Sequence, residues 1–173
     1  MVICNKKLQS GRSMIEMLGV LAIVGILSAG GIAGYSMAMQ SQKTSALMEK
    51  VNLIATQTRS LYESVYKEDV SDVVYGNIGG RLIAGNLMPD LNSPFGGVLK
   101  TSPSEVGDVF TIETLDNVPQ QSCVRIMLAD WGDTGTIMSI SADGTEVEDF
   151  PMSPEAAASV CADKNVKLIW TVK

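Results

Sequence analysis

Histidine is absent from all 173 residues, which excludes His-based triads, Cys/His dyads and His-containing zinc sites. No Gly-Lys-Ser/Thr ending closes the glycine-rich stretch between Lys67 and Gly97, so a phosphate loop of that type is excluded too. Basic side chains are scarce, 13 against 19 acidic, and lack the clustering that phosphate contacts need; direct nucleic-acid binding is not expected. Asp130 with Asp133, or Asp143 with Glu146, Glu148 and Asp149, could offer oxygen ligands to calcium, but their spacing matches no defined loop and they read as solvated acidic turns. No cofactor, metal or catalytic group is expected. With 46% hydrophobic residues, the chain has room for one globular domain beside a membrane segment and none for a second domain.

One absence is local. From Met17 to Gln42 there are 26 consecutive residues without a formal charge, and the apolar part, Met17 to Ala38, is 22 residues long. About 20 apolar residues in a helix cross a bilayer of roughly 30 Å hydrocarbon thickness. At the entrance stands Glu16, a carboxylate where insertion carries a penalty of about 2.5–3.5 kcal/mol and where such groups are usually functional. Five residues before it is Gly11, preceded by a short basic leader with Lys6 and Lys7.

An ordinary secretory signal accounts for part of this pattern. Lys6, Lys7 and Arg12 then form the positive region, Met17 to Ala29 the apolar region, and Gly31-Ile32-Ala33 the small-x-small cut site. Against it stand Glu16, where such signals are free of acid, and a helical pattern that continues past Ala33.

The basic leader, Gly11, Glu16 and the apolar helix together resemble the prepilin processing site of type IV pilins and their pseudopilin relatives. The resemblance implies a prepilin peptidase that cuts between Gly11 and Arg12, followed by N-methylation of the new amino terminus. Where the family usually has Phe, Met or Leu after the cut, this chain has Arg12. The resemblance also implies that Glu16 pairs with the α-amine of Arg12 on a neighbouring subunit. Loss of Lys6 and Lys7 from 13 basic side chains against 19 acidic ones leaves a balance of −8.

The same cut removes Cys4 and leaves an even pair, Cys123 and Cys161. In an oxidising compartment these two are expected to join; two buried free thiols are the alternative.

Past the membrane segment, Leu47, Val51, Ile54, Thr58, Leu61 and Val65 alternate steps of four and three, which predicts one helix from about Ser13 to about Tyr66, roughly 80 Å long. Tandem Gly30-Gly31 is its expected weak point. Residues 67–97 read as a connecting loop, and Leu91-Asn92-Ser93-Pro94-Phe95-Gly96-Gly97 resembles the segment before the first strand of type IVb pilins. Strands are expected at Val109–Thr114, Cys123–Leu128 and Thr136–Ile140, with a turn at Trp131–Gly135. Asp143-Gly144 marks a turn into Glu146–Phe150, Ser153 caps a short helix that ends at Cys161, and Val166–Val172 is a final strand.

These expectations assemble into an α+β pilin fold: a long N-terminal helix packed on an antiparallel sheet of about four or five strands. Residues 1–11 are the leader, 12–38 the membrane and assembly helix, and 39–173 the globular domain. The resemblance implies a structural subunit of a type IV pilus, not an enzyme, in a homopolymeric filament serving adhesion, aggregation, motility or DNA transfer. It implies residence in the inner membrane before assembly and on the bacterial surface afterwards. Implied partners are membrane lipid, the peptidase, an assembly ATPase, an inner-membrane platform and an outer-membrane secretin. A type II secretion pseudopilin, or a binding domain released by signal peptidase, stands as the alternative.

Overall fold

The computed structural model describes residues 14–65, with side chains to 60, and residues 90–103, 109–115, 117–131 and 136–173. The chain forms two units, Met1–Met39 and Gln40–Lys173. Helix α1, Met14–Val65, is continuous, and its helical assignment runs unbroken through Gly30-Gly31.

In the first unit every described side chain from Met14 to Ala38 is exposed. Ile26 is 75% and Ile32 72% accessible. In the second unit the same helix changes character. Thr44, Leu47, Val51, Ile54, Ala55 and Thr58 are buried, a stripe of the kind a helix lays against a core. Leu61 and Val65, expected to continue it, have side chains outside the described residues.

The expected antiparallel sheet has five strands. In spatial order they are β1 (Lys100–Pro103), β2 (Phe110–Glu113), β7 (Leu168–Val172), β4 (Ile137–Ala142) and β5 (Thr145–Val147). β3 (Val118–Pro119) and β6 (Asn165–Val166) pair separately. Register places Ile112, Trp170 and Ile140 in one cross-strand row, all fully buried. They share a single core with Leu47, Val51 and Ile54 of α1. The next row on the opposite face runs Lys100, Glu113, Ile169, Ser141 and Glu146, none of them buried.

The expected strand at Cys123–Leu128 is instead α2, a helix over Gln120–Met127. Its buried residues are Ser122, Cys123, Ile126 and Met127, spaced one helical turn apart in two pairs, while Arg125 stays exposed. The run is apolar enough to satisfy either period, and Pro119 at the N-cap, followed by two glutamines, favours helix. β1 takes the vacated place in the sheet. Lys-Thr-Ser-Pro has no apolar alternation, and its terminal proline suits an edge strand.

Other expectations hold. Asp143 and Gly144 join β4 to β5 with φ of 48° and 89°, the two positive values that a two-residue hairpin turn of type I′ requires. Helix α3, Pro154–Val160, begins at Ser153, whose Oγ accepts the Ala156 N–H at 3.3 Å. The expected turn at Trp131–Gly135 lies outside the described residues from Gly132 onward, as does the connecting loop before Asp90.

Candidate functional site

Within the first unit the surface to be explained is the helix itself. A helix that is apolar all round belongs inside a bundle or a membrane, because water leaves so much hydrocarbon uncompensated. The span is long and apolar enough to cross a bilayer. Glycines 19, 25, 30, 31 and 34 leave open space where a Cβ would stand, so another helix could approach the backbone closely along this length. Glu16 lies in the first turn of α1 and is exposed. A carboxylate there complements the positive end of the helix dipole. Gly11 and Arg12, the expected processing residues, lie outside the described residues.

In the second unit, Cys123 on α2 and Cys161 at the C-cap of α3 are joined by a disulfide, with Cα atoms 5.9 Å apart and a sequence separation of 38. Both are fully buried. The bond therefore ties two helices together, where the sequence suggested a strand tied to a helix.

Two polar clasps, absent from the sequence-based expectations, hold α1 in its domain. Thr44 donates to the Gln40 carbonyl at 2.8 Å and meets Ser122 Oγ at 2.9 Å, while Arg125 donates to Ser41 Oγ. Further along, Lys50 pairs with Asp90 at 2.7 Å and donates to the Asn92 carbonyl at 2.9 Å. The Lys50 ammonium, and then the Asn92 N–H, hold the Asp90 carboxyl below the usual carboxylate range.

The segment that carried the second resemblance is a tight turn. Ser93 N–H donates to the Gly97 carbonyl, Gly96 N–H to Ser93, and Asn117 Nδ2 clamps the carbonyls of Phe95 and Gly96. Gly97 has a φ of 73°, and a Cβ there would collide with the Leu115 side chain. Glycine is required at that point for both reasons.

The family model described as PilS N terminal matches residues 41–173. The chain belongs to this family and is a type IVb pilin. Curated relatives include the "Major structural subunit of bundle-forming pilus" of Escherichia coli O127:H6 (strain E2348/69 / EPEC), 24% identical over 92% of this pilin and 86% of the relative. A protein of the same description from Escherichia coli O111:H- is 25% identical over the same shares. Among solved structures, the "NMR Structure of Type IVb pilin (PilS) from Salmonella typhi" is 22% identical, covers 74% of this pilin and 94% of that chain, and superposes with a TM-score of 0.52. That likeness establishes a shared fold for the pilin domain.

Proposed function

We propose that this type IVb pilin is a structural subunit of a type IV pilus, held in the inner membrane by α1 before it enters an extracellular filament. The observation that carries the reading is an apolar helix, exposed over its whole circumference and headed by Glu16, in a chain whose remainder is a pilin domain. The curated relatives named as bundle-forming pilus subunits support the same reading.

The physics of assembly follows from that helix. Insertion leaves Lys6 and Lys7 on the cytoplasmic side, as the positive-inside rule expects. A prepilin peptidase cuts between Gly11 and Arg12, and the freed α-amine is methylated. Moving the subunit from lipid into a bundle of like helices keeps the apolar surface buried. Glu16 then pairs with the α-amine of Arg12 on a neighbour, and the pair sets the axial stagger because an unpaired charge in a dry bundle is strongly penalised. A head-to-tail contact that does not close repeats into a helical filament. An assembly ATPase, an inner-membrane platform and an outer-membrane secretin complete the machinery in this reading.

N-terminal sequencing of protein sheared from the cell surface tests it. A start at Arg12 is expected. A start after Ala33 would mean that a signal peptidase removed most of the apolar helix, and no filament of this kind could form.

A further inference from the structure

We propose that opposite edges of the five-stranded sheet form a charge-matched lateral contact between copies of this chain, the Lys100 edge of one receiving the Glu148–Asp149 edge of the next. The contact rests on the filament reading above.

The argument starts from the outer row Lys100, Glu113, Ile169, Ser141 and Glu146. The two carboxylates of the row have partners inside the molecule. Glu113 pairs with Lys167 at 3.3 Å, and Ser139 Oγ donates to Glu146 at 2.5 Å. The nearby Asp143 carboxylate accepts the Lys167 backbone N–H at 2.9 Å. At the two ends the pattern stops. Lys100 on β1, and Glu148 and Asp149 just past β5, are exposed and have no ion-pair partner among the described residues.

The two ends differ in sign. Beside Lys100 is a hollow of about 210 Å³ lined by Lys100, Glu113, Thr114, Leu115 and Lys167. Two ammonium groups against one carboxylate leave it net positive, suited to a carboxylate from outside. The acidic end directly follows β5 of the β4–β5 hairpin.

Four strand spacings, about 19 Å, separate the ends, so they cannot meet within one molecule. A two-fold dimer through either edge would set like charges against each other. A head-to-tail arrangement through these edges matches plus to minus, and with a rotation that does not close it propagates along a filament. Exposed pairs of this sort contribute more to register and partner choice than to affinity.

The test is charge reversal in the full-length chain, read as filament yield in sheared material by quantitative blot. Lys100→Glu, and separately Glu148→Lys with Asp149→Lys, are each expected to lower yield about tenfold. The three changes combined are expected to restore it, as coupled sites do. Full yield from either single-edge reversal, or no recovery in the combination, overturns the contact while leaving the filament reading intact. A wild-type chain that makes no filament overturns both. Should a reversal impair folding, the pair Lys100→Cys with Glu148→Cys decides the matter: a reducible ladder of oligomers from filaments supports the contact, and monomer alone overturns it.

Discussion

Removing the Cys123–Cys161 disulfide should destabilise the pilin domain by an amount that loop size sets. The bond closes a 38-residue separation that contains β4, β5 and α3. For a loop of this length the chain-entropy relation gives about 4 kcal/mol, mostly by restricting the unfolded chain. The folded state offers little reason for a larger effect, because β7, which follows Cys161, is paired along both sides by β2 and β4 and keeps those hydrogen bonds without the crosslink. With an unfolding entropy of roughly 0.28 kcal/mol/K for the domain from Gln40, the melting temperature should fall by about 14 °C. Calorimetry of that domain, oxidised and reduced, measures it. Reduced wild type is the better comparison than Cys123→Ala with Cys161→Ala, since it keeps both buried sulfurs and isolates the crosslink from cavity effects. A fall of less than about 4 °C, in a sample whose oxidised form is verified by mass, would refute the entropic argument.

Glu16→Ala should insert in the membrane and be processed as wild type but give few filaments; electron microscopy of sheared surface material checks this, and combining it with Arg12→Phe separates the guanidinium from the α-amine. Thr58 Oγ1 is buried with no hydrogen-bond partner among the described residues, so Thr58→Val should leave denaturant stability unchanged or raise it by about 1 kcal/mol. Because Asp90 titrates below its ordinary value of about 3.9, its contribution is present above that pH and is lost as pH falls through the depressed value. Lys50→Met should move the Asp90 carboxyl titration, followed by NMR, upward towards the ordinary range and flatten the acid limb of stability.

What was legible in the sequence follows what is local. Phe110 with Ile112, and Leu168 with Trp170 and Val172, alternate apolar positions at a period of two, and all are buried on one sheet face. Ser153-Pro154-Glu155 carries the start of α3 in three residues. Glu16 also announced itself, because a carboxylate before a long apolar run is conspicuous without any tertiary context. α2 did not: Cys123 to Leu128 suits either period, and burial of Ser122 beside Cys123 depends on α1, which reaches Ser122 through Thr44 from 78 residues away. β1 was invisible for a related reason. Lys100 to Pro103 is a strand by virtue of β2, whose own signal was plain, and nothing in its four side chains reports that neighbour.

Among the described residues β7 is the last strand to leave the ribosome, yet it stands third of five in the sheet. The β1–β2 and β4–β5 hairpins can form as soon as they emerge, but until β7 arrives they share no hydrogen bond and each shows an open edge. Completion of the sheet thus waits for β7. A chain cut short before Leu168 lacks the strand that hydrogen-bonds to both β2 and β4. Sheet closure therefore requires a chain made at least through β7, Leu168–Val172.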